Sequence, residues 1–402
     1  MANNLTIDQA YTFMGDVYEQ ATGKAALAAV DAGNFTTVAQ AVLKSGYDNT
    51  ISSIMQVLGR TIMAVRPYSA KFRNFLVDNQ RFGYITRKIN FIDTDIEADE
   101  RYSLSDGYSV DMYKVRKPRV LETHYYGMNT YQTHITIFRD QLDSAFTSAQ
   151  AFAEFISGVI QNVTDMLEQL TEAECRTALL NFISAKVLAP APTVGGAQAV
   201  NVYAEFASVK GITTDSALTA YLQTSDGYRD FVQWFYAFVN TITDQMTNRS
   251  VKFHRNVTGK ELMRHTPYDR MKAYITSKLL NDFNARAISN TFNADKLRMI
   301  DFEPVTYWQN IDNPTEVQSG YTYIADDGTL TTVADSSITD SINVLGVIFD
   351  EDAMGLTIAN QWDETTPFNV AGGYWNRYYH RTYRSWNDLT ENGIVLYTDS
   401  IE

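Results

Sequence analysis

The stretch AQAFAEFISGVIQNVTDMLEQLTEAECRTALLNFISAK, residues 149–186, decides the fold. In its first part, apolar side chains recur at intervals of three and four, as one face of a helix requires. These residues are Ala149, Phe152, Ala153, Ile156, Val159, Ile160, Val163, Met166, Leu167 and Leu170. The remainder contains no proline that would interrupt the helix. At about 1.5 Å per residue the helix would extend for roughly 57 Å, so we predict an extended structural spine rather than an ordinary core helix.

Upstream of this stretch, residues 1–80 are predicted to form a helical arm. A first helix carries an apolar stripe with Phe13, Met14 and Val17 on one face, because these positions follow helical spacing. Two more helices are predicted at about 37–43 and 50–65. Pro67 then ends the helical region, since the residue before a proline avoids the helical conformation.

Residues 81–137 change to a β pattern and carry segregated charges. The segments 84–92 and 131–137 are β-rich, so we predict a long hairpin arm with His124 and His134 on opposite strands. Acids come first and bases follow: Asp93, Asp95, Glu97, Asp99 and Glu100, then Lys114, Arg116, Lys117 and Arg119. Charges separated by sign suit docking onto a neighbour, because complementary potentials fix register and specificity.

The region after residue 200 is predicted to mix helices and strands. Helices are expected at 226–246 and 268–287, buried strands at 299–305 and 344–349, and a polar, turn-rich insertion at 312–340. Two terminal strands are expected at 373–383 and 393–397. The chain is therefore predicted to belong to the α+β class.

Composition excludes several functional classes. The 402 residues include 47 acids and 33 Lys plus Arg, so the net charge is -14, which argues against a nucleic-acid reader and an anionic membrane surface. No apolar run approaches the ~20 residues of a membrane span, so we expect no membrane association. Low charge, 20 %, combined with 25 tyrosines is typical of surfaces that contact other proteins.

Motifs for catalysis and metal binding are missing from the sequence. The single cysteine, Cys175, lies within the long helix, and no histidine pair has the spacing of a zinc site. Neither a GxSxG elbow nor a phosphate-binding glycine loop is found. We predict no catalytic residue, metal or cofactor. A hydrolase with paired carboxylates stays an alternative, because one sequence does not reveal which carboxylates face each other.

The order of helical arm, charged hairpin, very long helix, α/β region and terminal strands resembles the major capsid proteins of tailed bacteriophages, which have the HK97-like fold. Two stretches are similar to the small short-tailed, phi29-like group. One is Tyr125–Thr133 leading to Asp140–Phe146, and the other is Asn369–His380 with GYWNRYYH at its centre.

This resemblance implies an α+β, HK97-like capsid fold with five parts. They are an N-terminal helical arm at 1–80, an extended β-hairpin E-loop at 81–137, a P-domain with the spine helix at 138–200, an α/β A-domain at 201–365, and C-terminal strands returning to the P-domain at 366–402. The implied function is a major capsid protein without enzymatic activity. It would self-assemble as hexamers and pentamers into an icosahedral head around double-stranded DNA.

The partners implied are further copies of the chain, a scaffolding protein and a portal, with assembly in the host bacterial cytoplasm and residence in the virion. The DNA would be enclosed without sequence-specific binding. The acidity fits this role, because Lys and Arg supply the non-specific affinity for DNA.

We expect subunit contacts from the E-loop charges and from the first helix. The E-loop residues are Arg87, Lys88, Asp93, Asp95, Glu97, Lys114, Arg116, Lys117 and Arg119. In the first helix, Phe13, Met14 and Val17 are expected to pack on a neighbour or a scaffolding protein. Two alternatives remain: the shell protein of an encapsulin-like compartment, and a virion-associated adhesin or carbohydrate-binding protein that would use Tyr and Trp as stacking platforms.

Overall fold

A computed structural model describes most of the chain, in two compact units. The described residues are 7–24, 30–31, 33–46, 49–51, 53–54, 57, 72, 85–92, 104–113, 115, 117, 119–192, 196, 198–257, 261–286, 302–334 and 342–398. The first unit comprises 1–82, 128–175 and 357–384, and the second comprises 83–127, 176–356 and 385–402. Each unit therefore brings together segments that are far apart in sequence.

The labelled helices of the described residues are α1 (Ile7–Thr22), α2 (Phe35–Lys44), α3 (Arg139–Ala145), α4 (Ala149–Leu188), α5 (Val202–Lys210), α6 (Asp215–Gln223), α7 (Ser225–Thr247) and α8 (Ser277–Arg286). The strands are β1 (Ile85–Ile92), β2 (Arg119–Tyr126), β3 (Asn129–Phe138), β4 (Ala199–Asn201), β5 (Met271–Thr276), β6 (Phe302–Val305), β7 (Glu316–Val317), β8 (Tyr321–Ile324), β9 (Leu330–Val333), β10 (Ile342–Asp350), β11 (Met354–Thr365), β12 (Tyr374–Asn387) and β13 (Gly393–Thr398). The predicted long helix is confirmed as α4, which has 40 residues.

The first unit packs α1, α2 and the beginning of α4 into one core with a three-stranded sheet of order β11–β12–β3. Phe152 lies at the centre of an aromatic group, with ring centroids 5.8 Å from Phe13, 6.0 Å from Phe35 and 5.4 Å from Phe146. Trp375 of β12 adds its buried indole to the same core.

This core corrects the prediction for the first helix. Phe13, Met14 and Val17 are all buried within their own subunit, so they do not offer a free stripe to a neighbour or a scaffolding protein. The physical reason is that α2 and α4 already bring apolar side chains against that face of α1. Helical spacing identifies an apolar face, but it does not identify the surface that covers the face.

The second unit is built on a sheet of order β4–β13–β10–β5–β6, with β7 also paired to β10. The β4–β13 and β5–β6 pairs are parallel, whereas β10 is antiparallel to both of its long neighbours. Helices α5 to α8 supply a second apolar core that includes Phe206, Phe231 and Phe235. Side chains of β10 and β13, Ile348 and Leu396, belong to the same core.

One predicted helix needs correction, and another is described only in part. The helix expected at 268–287 is a single 3-10 turn at Tyr268–Arg270, then β5, then α8. Strand β5 is covered on both faces, so it lacks the alternation that distinguishes a strand from a helix in sequence. The predicted helix at 50–65 is helical at residues 49–51, 53–54 and 57, and the rest of it lies outside the described residues.

The pairing of the predicted hairpin is also different. Strand β1 pairs with β2, whereas β3 pairs with β12 in the sheet of the first unit. His124 therefore lies opposite Arg87 and His134 opposite Tyr378, in two different sheets. Alternation of side chains with a period of two indicates a strand but does not show which strand pairs with it. This explains why β3 is predicted to pair within the hairpin.

Substitution of Phe152 by alanine tests the core of the first unit. We expect Phe152→Ala to lower the free energy of unfolding by about 3–5 kcal/mol, because it leaves a cavity among three aromatic rings. Urea unfolding followed by circular dichroism measures this value. The exposed Val209→Ala serves as control and should change stability by less than about 0.5 kcal/mol. Equal stability of the two variants would contradict the assigned core.

Candidate inter-subunit surface on the β1–β2 hairpin

The β1–β2 hairpin has two faces of different character. The strands are antiparallel, with Ile85 opposite Tyr126 and Ile92 opposite Arg119. Side chains alternate along each strand, so one face carries Ile85, Arg87, Ile89, Phe91, Val120, Glu122, His124 and Tyr126. We call this the outer face. The inner face carries Thr86, Lys88, Asn90, Ile92, Arg119, Leu121, Thr123 and Tyr125.

The outer face exposes large apolar side chains to solvent. Phe91 is 75 % exposed and Tyr126 is 76 % exposed, and Ile85, Ile89 and Val120 are exposed beside them. Polar contacts on the same face run across the strands. The Arg87 guanidinium lies 3.3 Å from the Glu122 carboxylate, and the His124 imidazole lies 3.1 Å from it. These polar groups pair with one another, and the apolar side chains remain uncovered.

The segment between the two strands continues this exposure. Leu104, Tyr108, Val110, Met112, Tyr113 and Val115 are all exposed. Of the twenty large hydrophobic side chains that are exposed among the described residues, eleven lie between Ile85 and Tyr126. Such a concentration of apolar surface in one short part of a chain is typical of a site that contacts another protein.

The inner face is attached to the second unit through Lys88. Its Nζ lies 2.8 Å from Asp388 Oδ2 and 2.8 Å from Glu391 Oε1, and it donates a hydrogen bond of 3.1 Å to the carbonyl of Asp352. The ammonium group therefore makes two ion pairs and donates a hydrogen bond to one carbonyl. Next to Lys88 on β1, Asn90 and Ile92 are buried. The covered inner face thus explains why the apolar side chains of the outer face point to solvent.

Further charges surround this contact. Arg264 Nη2 lies 3.3 Å from Glu391 Oε1, and Asp388 Oδ1 accepts a hydrogen bond of 2.9 Å from the amide of Thr390. Lys186, on α4, is buried, and its Nζ donates weak hydrogen bonds of 3.3–3.4 Å to the carbonyls of Phe253, Leu389 and Glu391. We call Lys88, Lys186, Arg264, Asp388 and Glu391 the ion cluster.

Burial and charge act against each other in the ion cluster. Burial opposes the charged forms, yet the mutual attraction holds the pKa of Lys88 above its ordinary value and that of Asp388 below it. Burial raises the pKa of Glu391 in spite of Lys88 and Arg264. Burial, and then the Asp388 carboxylate, raise the pKa of Tyr125. Burial lowers the pKa of Lys186 to about 7, because the attraction of the Asp388 and Glu391 carboxylates offsets the cost of burial only in part.

The predicted interface residues fall into three groups. Arg87, Lys117 and Arg119 are exposed on the hairpin, as an interface residue should be. Lys88 does not join them, because its ammonium is taken up by two carboxylates of its own subunit, and this corrects its predicted role. Asp93, Asp95, Glu97, Lys114 and Arg116 lie outside the described residues.

Sequence reasoning missed the apolar residues of the outer face and the two acids that bind Lys88. The alternation of Ile85, Ile89 and Phe91 along β1 was a usable signal, because it separates an apolar face from a polar one. No local signal connects Lys88 to Asp388 or Glu391, which follow it by about three hundred residues.

The described residues contain no group of three or more His, Cys, Asp or Glu side chains that could hold a metal ion. Within the same part of the chain, every helix is too short or too polar to cross a bilayer.

A family model described as Phi29-like phage major capsid protein matches residues 13–397. The chain belongs to this family. As a major capsid protein of a tailed phage, it assembles with its own copies into the capsid, the shell of the virion. The family has a structural role, and neither the encapsulin-like nor the adhesin alternative is favoured by the match. The α+β class is confirmed, and the elements follow the order expected for an HK97-like capsid fold.

Comparison with solved structures finds proteins of bacteriophage particles. The capsid structure of Staphylococcus phage Andhra is 13 % identical and covers 82 % of this chain and 84 % of its own, with a TM-score of 0.49. A structure of the head fiber and inner core protein of bacteriophage P68 is 14 % identical, with 82 % of this chain and 84 % of that chain covered and a TM-score of 0.49. The capsid of Cyanophage Pam1 is 11 % identical, with 84 % of this chain and 94 % of that chain covered and a TM-score of 0.44. No curated protein matches the chain.

Replacement of Lys186 by methionine tests the electrostatics of the ion cluster. Between pH 7 and about 10, the unfolded chain keeps a proton on Lys186 that the folded chain has lost, so stability rises with pH. From pH 7 to pH 9 this group alone adds about 2 kcal/mol to the free energy of unfolding. Lys186→Met removes that gain, and urea unfolding at the two pH values measures it.

The exposed Lys24→Met is the matched control and should follow the parent protein at both pH values. A Lys186→Met variant with the same pH dependence as the parent would show that Lys186 is not a buried, neutralised amine.

Proposed function

We propose that copies of this chain form hexamers and pentamers that close into an icosahedral head around double-stranded DNA, and that the outer face of the β1–β2 hairpin lies against the next copy. The observation that carries the proposal is the clustering of exposed apolar side chains between Ile85 and Tyr126. Burying one such side chain contributes about 1.5–3 kcal/mol, which favours association.

The type of contact supports rings. A hairpin that docks on a different surface of the next copy makes a heterologous, head-to-tail contact. Repetition of that contact closes a ring when the rotation between copies matches five or six subunits. One geometry with small adjustments therefore serves both pentamers and hexamers.

The hairpin charges add specificity to this contact in our proposal. Arg87, Lys117 and Arg119 are exposed, and Asp93, Asp95, Glu97, Lys114 and Arg116 belong to the same part of the chain. Complementary potentials between copies would set register and exclude wrong pairings more than they raise affinity.

The remaining assignments of the proposal follow from the family. We assign 1–80 to the N-terminal arm, 81–137 to the E-loop, 138–200 to the P-domain, 201–365 to the A-domain and 366–402 to the returning strands. Assembly takes place in the host cytoplasm with a scaffolding protein and a portal. The net charge of -14 supports enclosure of DNA without tight binding, since cationic side chains supply non-specific affinity for DNA. No step of this role requires enzymatic chemistry.

A charge placed on the outer face tests the proposed contact. We expect Phe91→Asp to reduce the yield of assembled particles at least tenfold, because burial of an unpaired carboxylate at the contact is costly. Sedimentation and electron microscopy of the purified protein, with its scaffolding protein supplied, measure the yield. Circular dichroism should show an unchanged fold, because Phe91 makes little contact within its own subunit.

The control places the same charge elsewhere on the second unit. Ile311 is 71 % exposed and lies far from the hairpin in sequence, so Ile311→Asp should leave assembly within about threefold of the parent. Normal particle yield from Phe91→Asp would refute the role of the outer face.

A further inference from the structure

A two-stranded hairpin does not by itself determine which of its faces points to solvent. Two strands are marginally stable in water without a third strand or a packed layer. The β1–β2 pair forms a sheet of its own, separate from the larger sheet of the second unit. The choice of face must therefore come from contacts of the inner face with the rest of the subunit.

Apolar burial alone is a weak guide for this choice. The outer face of β1 carries Phe91, Ile89 and Ile85, whereas its inner face carries Lys88, Asn90 and the buried Ile92. By hydrophobicity, the outer face would be the one to turn inward. The observed orientation is the reverse, so polar contacts of the inner face contribute to it in addition to the burial of Ile92.

Lys88 makes a contact that can outweigh the tendency of the apolar outer face to turn toward the protein interior. Its side chain is 21 % exposed, and its two carboxylate partners, Asp388 and Glu391, are 2 % and 10 % exposed. Both acids belong to the turn between β12 and β13, whose strand β13 is inside the larger sheet. The turn also holds Asp388 through the amide and hydroxyl of Thr390, at 2.9 Å and 2.6 Å. Asp388 is thus held by the turn itself, independently of Lys88.

We propose that Lys88 is the positioning residue of capsid assembly: its ammonium group, clamped between Asp388 and Glu391, holds the inner face of the hairpin on its own subunit and thereby presents the apolar outer face to the next copy. This inference rests on the proposed function, because it explains how the assembly surface is displayed. Removing the cation leaves two buried carboxylates without their shared partner, which disfavours the observed orientation.

Thiol labelling of unassembled subunits measures the orientation directly. Ile89→Cys places a thiol on the outer face and Asn90→Cys places one on the inner face. Among the described residues, the Asn90 side-chain nitrogen has no hydrogen-bond partner that the substitution would remove. The native thiol, Cys175, is buried and should react slowly. With Lys88 present, we expect the thiol at 89 to react with maleimide at least tenfold faster than the thiol at 90.

Variants of the clamp should change this ratio. Lys88→Met should bring the two labelling rates within threefold of each other, and Lys88→Arg, which keeps the charge, should restore most of the difference. Glu391→Gln should lower the ratio by a smaller factor, since Asp388 still binds Lys88. The exposed cation of the same arm, Lys117, gives the matched control, and Lys117→Met should leave the ratio unchanged.

Assembly provides the second readout. Lys88→Met should reduce particle yield at least tenfold and Lys88→Arg should retain it within threefold. A tenfold labelling ratio that persists in both Lys88→Met and Glu391→Gln overturns the inference, and Glu391→Gln keeps the test valid if Lys88→Met does not fold. Because labelling uses unassembled subunits, its failure is distinct from a failure of Phe91→Asp to block assembly, which would refute the proposed function instead.

Discussion

The ion pair of Lys88 with Asp388 and Glu391 is the interaction on which the presented surface depends. The ammonium group lies 2.8 Å from each of two carboxylates and donates a hydrogen bond to one carbonyl. Pairing of this kind offsets the cost of taking a charge out of water. The contact holds a polar face inward, and Phe91, Tyr126 and their apolar neighbours are exposed in the single subunit, available for the proposed contact with another copy.

Other residues of the second unit surround the contact of Lys88 with its two carboxylates. Arg264 adds positive charge beside the Glu391 carboxylate, and the buried Lys186 donates a hydrogen bond to the Glu391 carbonyl. Strand β13 continues from the acidic turn into the sheet beside β10. The long helix α4 contributes residues 149–175 to the first unit and 176–188 to the second. It supplies Phe152 to one core and Lys186 to the ion cluster. One continuous helix thus supplies an aromatic core residue to the first unit and a buried amine to the second.

Local patterns in the sequence predicted much of the fold and less of the site. Helices α4 and α7 and strands β10 and β13 were predictable, because each has strong periodicity or a short buried run with clear ends. Strand β5 was not predictable as a strand, since it is buried on both faces and therefore lacks the alternation of apolar and polar residues. The apolar face of α1 predicts an interface at Phe13, because helical spacing alone does not show whether the same subunit or another copy covers that face. Lys88 is predicted among the exposed interface charges, because its partners Asp388 and Glu391 are distant in sequence and only the folded chain brings them together.

Radical footprinting of Phe91, Met112 and Tyr126 in unassembled subunits and in purified particles tests the central claim most directly. These side chains are exposed in the single subunit. If the hairpin is the contact between copies, their oxidation rates fall severalfold on assembly, while the rates of residues buried in both states stay low. Equal oxidation of all three side chains in subunits and particles would contradict the account.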